Sequence, residues 1–349
     1  MILETEIPAF AFSNYFREVI VSSSQNVDFT LSYKKNGTDD YVIILEETYT
    51  PDTNNKVILF DLQRIINSSL ESDIHGYFRF IFSSGTENIT SDSHILLSRV
   101  EINIPASDFT RDNFLSILKG DKITRTANNE YLSLYVSAVT EIKVVARYRE
   151  SDGSYSQNAT DMPPVTNLNT ITTVDVSPRN FVQNNKELVL YAVIAGNRIQ
   201  KFYVDGFSRE SPLHVAFINS FGVLETFCLW GNLDYENKYS NEYGYVRNQY
   251  EMLSAAMVRE YTAHTGILKQ NIAEWIEELY MSKDILIIKD MALSKRLTIV
   301  DSTVKRSSIQ SEIPVHEFKY RLSQRQQYVI DFAARMQRIF DITFDYTFN

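Results

Sequence analysis

Strand-length runs of β-branched and aromatic residues recur along this chain at short intervals, and they constrain its fold more than any other feature. Asp40–Glu46 (DYVIILE), Lys56–Phe60 (KVILF), Tyr77–Phe82 (YFRFIF) and His94–Ile104 (HILLSRVEINI) are each bounded by polar turn residues, the pattern of strands that bury one face. In the last of these, apolar Val100, Ile102 and Ile104 alternate with polar Glu101 and Asn103, which predicts a half-buried strand. Asn36-Gly37 lies between two such runs and predicts a hairpin. Further strands are expected over Glu130–Val139, Glu141–Arg149, Thr170–Val176, Leu188–Ala195 and Asn197–Asp205. Among them Ser151–Asn169, with Asp152-Gly153 and Pro163-Pro164, reads as a long polar loop inside a domain.

Helical spacing is rarer. In Asn271–Met281, residues Ile272, Trp275, Ile276, Leu279 and Tyr280 form one apolar stripe. Asn271 fits an N-cap, with Glu274 three residues on. Glu274, Glu277 and Glu278 then form the wet face. Shorter stripes predict helices over Asp61–Leu70 and around Phe114, Leu115 and Leu118, the latter capped near Ser107. A further helix is expected over Tyr328–Phe340, followed by a terminal strand in which Ile342, Phe344, Tyr346 and Phe348 share a face. The region 236–263 reads as a tyrosine-rich loop leading into an ambiguous segment.

A chain of 349 residues exceeds one comfortable core. Residues 57–66 and 77–85 echo residues 172–181 and 188–196: strand, Asp, short helical or turn segment, then an apolar strand ending in Gly. That spacing suits tandem sandwich domains of roughly 100 residues each. The expected fold is mainly β, with tandem β-sandwich-like modules and a few short helices. The expected modules are a sandwich-like domain at 1–120, a second at 121–235, and an α+β module at 236–349 that closes with the terminal strand.

Chemistry is harder to find. The chain has no phosphate-cradling G-x-x-x-x-G-K-[ST], no G-x-G-x-x-G, no H-E-x-x-H and no G-x-S-x-G. His75, His94, His214, His264 and His316 are each isolated in sequence, so no metal site is expected. Cys228, the single cysteine, lies in an apolar strand-like run and reads as a buried small hydrophobe. The carboxylates of Glu274, Glu277 and Glu278, and of Asp341 and Asp345, are most simply read as solvated. No catalytic residue, cofactor or metal is expected.

Charge and segment composition narrow the partners. With 44 acidic against 34 basic side chains the formal net charge is −10, which weighs against binding nucleic acid through its phosphates. Lys34–Lys35 and Lys305–Arg306 are short, isolated basic pairs. The longest apolar run, Leu188–Ala195, is too short to span a bilayer. The first residues, with Glu4 and Glu6, do not read as a signal peptide. A lone cysteine fits a reducing compartment.

The aromatic residues carry the positive signal. The chain holds 21 Tyr and 21 Phe. Tyr235, Tyr239, Tyr243, Tyr245 and Tyr250 lie close together among Asn, Glu and Gly. Tyrosine offers rigid area with a polar tip, as contact surfaces require. These five are the candidate subunit interface. The alternatives are a sugar-stacking platform, to which Trp230 and Trp275 would add, and a large loop packed on its own domain.

Phe217-Ile218-Asn219-Ser220-Phe221-Gly222-Val223-Leu224-Glu225-Thr226 resembles an "F-x-N-x-[YF]-G-x-x-[ED]-T" segment of tail and baseplate-type virion proteins of tailed phages and prophages of Bacteroidetes, including crAss-like phages. Glu47–Asp52 followed by Val57–Leu62 is similar to their "Y-x-P-D…strand-D-L" segment. Arg259–Gly266 with Trp275–Leu279 and Ser282 resembles their strand–Gly–helix–Ser unit, and Val315–Leu322 with Gln326-Gln327 their closing strand. The resemblance implies sandwich modules assembled into a ring or sleeve in the tail, neck ring or baseplate. The partners would be further copies and other virion proteins, with assembly in the host cytoplasm. It carries over no active-site residues. A carbohydrate- or receptor-binding module is the alternative function.

Overall fold

The computed structural model describes residues 1–206, 213–246, 249–303 and 314–323. The chain is mainly β. The helix expected over Tyr328–Phe340, the terminal strand with Asp341 and Asp345, and Lys305–Arg306 lie outside the described residues.

The N-terminal module sets two sheets face to face. A five-stranded sheet has the order Phe10–Phe12, Glu87–Leu96, His75–Ser84, Val27–Lys35, Val42–Tyr49. A three-stranded sheet holds Ile2–Leu3, Glu18–Ser22 and Lys56–Phe60. Phe29, Leu31, Phe78, Phe80 and Phe82 from the first meet Val19, Val21, Val57 and Leu59 from the second in one core. Strand alternation puts every second residue of His75–Ser84 inward. The helix Leu62–Leu70 closes the side with Leu62, Ile66 and Leu70. Its preceding Asp61 takes a left-handed backbone (φ 59°) that Asp tolerates. The Asn36-Gly37 hairpin forms as expected, with Gly37 at φ +83°.

The second module repeats the plan. Thr140–Arg149 and Glu187–Ala195 lie at the centre of a five-stranded sheet. Tyr131–Val136 pairs with Thr170–Asp175 in a facing two-stranded sheet. Leu134 and Val136 meet Val144, Tyr191 and Val193 in the shared core. The echo seen in sequence is a shared path: a strand of the smaller sheet, a helical turn, then a central strand of the larger sheet.

Three expectations fail here. Within Ser151–Asn169, Tyr155–Val165 is an edge strand along Thr140–Arg149. Its one unpaired edge tolerates polar residues and Pro163-Pro164, which lack the apolar pattern that marks an inner strand. The strand expected at Val100–Ile104 does not form. The sheet ends at Leu96 and the chain crosses to the next module, with the Arg99 amide donating to the Ser220 carbonyl at 3.0 Å. The helix expected around Phe114 lies earlier, at Ala106–Asp112. Phe114 and Leu115 follow it as irregular, buried chain.

In the third module a seven-stranded sheet runs Leu224–Leu229, Leu213–Ile218, Ile285–Lys289, Ala292–Thr303, Glu317–Leu322, Gln249–His264, Leu233–Val246. Residues 213–229 therefore share a sheet with 233–264, so the boundary expected at 235/236 falls inside one module. Sequence pattern finds strands but not the sheet that each one joins. The helical pieces Gln270–Trp275 and Glu277–Met281 pack on this sheet. Trp275 is 1 % exposed. Its ring meets Phe217 and Phe227 at centroid distances of 5.8 and 5.7 Å.

The three modules meet in a fourth apolar cluster of Phe12, Leu96, Ala106, Leu115, Tyr135, Phe221 and Val223. Its centre is the turn after Leu213–Ile218. Asn219 Nδ2 donates to the Leu115 carbonyl, and its Oδ1 accepts from the amides of Phe221 and Val223. Gly222 has φ +77°, and a Cβ there would lie 2.5 Å from Ile74 Cγ2. Only glycine satisfies both the turn and the close approach.

Candidate functional site

The expected tyrosine loop is a long β-ribbon. Leu233–Val246 pairs with Gln249–His264 without a break except for one bulge at Glu242/Tyr243. Period-2 alternation places Tyr235, Tyr239, Tyr243 and Tyr245 on one face, and Tyr250, directly opposite Tyr245, joins them. Met257 and Met252 face Tyr239 and Tyr243 on the same side. The other face carries Glu236, Lys238, Ser240 and Glu242. The sequence reading missed this because Tyr, Asn and Gly are turn-compatible and the polar half of the alternation masks the apolar half.

The ribbon is anchored at its base. Among the described residues only Tyr261–His264 pair onward, to Glu317–Leu322. Tyr261 stacks on Tyr320 at 5.0 Å and 12°. On the opposite face Glu260 binds Lys238 at 2.8 Å and Arg321 at 3.0 Å, and the Lys238 hydrogen bond leads in holding its carboxyl below the usual range. Arg259 lies over the Tyr235 ring at 5.0 Å and donates to Asn237. Beyond this, all five tyrosines stand exposed, from 57 % at Tyr243 to 76 % at Tyr250. Tyr245 and Tyr250 pack edge to face at 5.9 Å. Among the described residues no strand pairs with the outer edge of Leu233–Val246.

A cavity of about 310 Å³ opens beside the ribbon base, between the second and third modules. Phe227, Trp230, Leu268 and Ile272 wall it. Arg125 lies against Trp230 at 4.2 Å and within 3.9 Å of Asp205. Deeper still, Lys122 Nζ donates to Glu130 and to the Thr226 carbonyl, both at 2.5 Å, and Thr124 donates to the other Glu130 oxygen. This buried pair is fully partnered, as burial of charge demands.

Other sequence-singled residues are used structurally. Asn271 is not the N-cap. It lies inside Gln270–Trp275, and its amide donates to the Lys119 carbonyl. Lys269 precedes the helix, which breaks at Ile276. Glu278 leaves the expected wet face: it is 5 % exposed, and its Oε1 accepts from the Ser220 amide at 3.1 Å. Burial and then the neighbouring Glu225 charge push it up to about 7. Glu225 is itself raised by burial, although Trp275 Nε1 donates to it at 2.8 Å.

The histidines are not all isolated. His75 Nδ1 and His94 Nε2 are hydrogen-bonded at 3.1 Å, and His94 Nδ1 bonds the Tyr135 hydroxyl of the second module at 3.1 Å. Burial lowers His94 to about 4 and also lowers His75. The strand register sets His214 opposite Cys228. Burial raises the thiol to about 11 and lowers this imidazole to about 3, so neither ionises at neutral pH as a nucleophile pair would. Trp275, offered above as a sugar platform, is buried and has no open face.

Among the described residues no three His, Cys, Asp or Glu side chains gather to hold a metal ion. No helix among them is long and apolar enough to cross a membrane. No protein-family model matches the chain, and no curated protein matches it.

Proposed function

We propose that this chain is a structural assembly subunit that associates with further copies of itself through the aromatic face of the ribbon 233–264. The observation that carries this is the row of five exposed tyrosines on one face of an amphipathic ribbon. A two-stranded ribbon is marginal alone in water, and a face patterned for burial gains most when a partner covers it. The three cross-braced modules supply the rigid body that such an arm needs. The segment 217–227, with its Asn219 and Gly222 turn, further supports a place in a phage tail, neck ring or baseplate, where ring assembly would be the role.

Native mass spectrometry of the purified chain tests the assembly role. The expected result is a discrete oligomer that falls to monomer when Tyr239 and Tyr243 are both changed to Ala. A strictly monomeric wild-type chain at micromolar concentration would overturn it. Proteomics of purified virions tests the tail assignment, and absence from every virion fraction would remove it.

A further inference from the structure

We infer that two copies pair edge to edge through Leu233–Val246, antiparallel about a two-fold axis at Ser240, so that two ribbons become one four-stranded sheet. This rests on the assembly role proposed above and gives it a geometry. The outer edge of the strand is accessible. Residues 238–243 are exposed, whichever face they point to, and among the described residues no strand pairs there. The ribbon's bulge lies in the other strand: Glu242 faces Ser254 and Tyr243 faces Met252, so Leu253 is the extra residue. Leu233–Val246 therefore keeps a regular edge. It holds no proline, whereas Tyr155–Val165, the edge strand of the second module, carries Pro163-Pro164. Unpaired amides and carbonyls along such an edge are a template for another strand. Two strands are marginal alone in water, and a sheet of three or more is not.

Charge selects the register and the partner. Side chains alternate along a strand, so a self-pairing that keeps the tyrosines on one face must be centred on a residue and not between two. Two such centres use nearly the whole strand, Tyr239 and Ser240. Centred on Tyr239, Glu236 of each copy would stand opposite Glu242 of the other. Centred on Ser240, Lys238 of each copy stands opposite Glu242 of the other, Glu236 meets Gly244, and no like charges are opposed. Opposite charges directly across strands stabilise a sheet, and like charges weaken it. On the aromatic face Tyr235 then meets Tyr245, while Tyr239 and Tyr243 meet Asn241 and Asn237, so the two tyrosine rows join. Lys238 already holds Glu260 at 2.8 Å, but an ammonium has three donors. Ser254 donates to one oxygen of Glu242 at 2.9 Å. A strand whose charges complement themselves about its own centre fits a second copy of this chain. The contact is isologous and closes at two copies, so a larger ring would be built from such pairs.

The test uses three variants of the full chain, Ser240→Cys, Glu236→Cys and Glu242→Lys, all at exposed positions. Circular dichroism checks that each folds. Residues directly opposite in an antiparallel pair have Cα atoms about 4.5–5.5 Å apart, within disulfide reach. Ser240→Cys should therefore give a disulfide-linked dimer under mild oxidation. Glu236→Cys should not, because its two copies would lie roughly 26 Å apart along the seam. The native Cys228 is buried and does not compete. Glu242→Lys sets Lys against Lys238 twice and should weaken association roughly tenfold by analytical ultracentrifugation. Tighter association of Glu242→Lys would mean the register centred on Tyr239 and overturn the inference. If the wild type assembles but Ser240→Cys does not cross-link, or cross-links no better than Glu236→Cys, the inference falls and the assembly role stands. A monomeric wild type overturns the assembly role itself.

Discussion

Two antiparallel hairpins dominate this molecule, and they spend their aromatic residues in opposite ways. In the N-terminal module, His75–Ser84 sends Phe78, Phe80 and Phe82 inward against Phe29 and the facing sheet, all of them fully buried. In the ribbon, Tyr235, Tyr239, Tyr243, Tyr245 and Tyr250 follow the same period and stand in solvent. Both sets lie on one face of a period-2 strand, although Asn237 and Asn241 sit between the tyrosines, and the aromatic residue type differs by one hydroxyl. Phenylalanine has no polar atom to satisfy and suits a permanently dry core. Tyrosine keeps a polar tip that water accepts. The hairpin with a second sheet over it is a core, and the one without keeps its aromatic face in solvent.

Breaking each side of this comparison should give opposite outcomes. Phe80→Ala should cost about 3–5 kcal/mol, as buried aromatic truncations do. Chemical denaturation would check it, and a loss below about 1 kcal/mol would mean that the core collapses around the gap. Trp275→Ala should cost a similar amount, about 3–5 kcal/mol, because its ring is enclosed by Phe217 and Phe227 and its indole N–H is spent on Glu225.

Glu278→Gln should act next most strongly, and only through pH. The folded protein holds the Glu278 proton up to about pH 7, against a usual carboxylate near 4.5. Its stabilising contribution is therefore complete below about 4.5 and is lost as pH rises through 7. That is on the order of 3 kcal/mol. The Gln variant should match wild type at pH 4.5 and exceed it in melting temperature at pH 8. Equal melting curves at pH 8 would show that the group titrates normally.

The His94 junction has the opposite sign. Its folded value near 4 lies below the usual 6.5, so its contribution is present above 6.5 and is lost as pH falls towards 4. His94→Gln should flatten the acid limb of a stability–pH curve, and an unchanged limb would clear this residue. Tyr239→Ala should be the mildest change, within about 0.5 kcal/mol of wild-type stability in a monomeric state. A large loss there would mean that the ribbon face is already covered within one chain.

Much of this was readable from local pattern. The hairpin at Asn36-Gly37, the turn at Gly222 and the helix at Leu62–Leu70 rest on contacts between near neighbours in sequence, which the sequence displays directly. The candidate tyrosines were likewise visible as a cluster, though as a loop. Their common face depends on a register with residues 249–264 that no single segment reveals. Glu278 was misread because its burial comes from Ser220, far away along the chain. The His75–His94 contact joins two strands through a hairpin register, and Tyr135 reaches it from another module. The helix expected at Phe114 failed because its apolar residues divide among separate cores, Phe114 in the second module, Leu115 at the junction and Leu118 in the third, rather than sharing one helical face.

By itself the sequence determined a strand-rich chain, its tight turns, the dry Phe-rich strands and the clustered tyrosines, because residue period and turn chemistry act over a few positions. Only the tertiary structure decided which sheet each strand joined, which carboxylate and imidazoles lost their water, and which aromatic face was left uncovered. Those outcomes depend on what lies overhead, and burial is set by residues far apart in the chain.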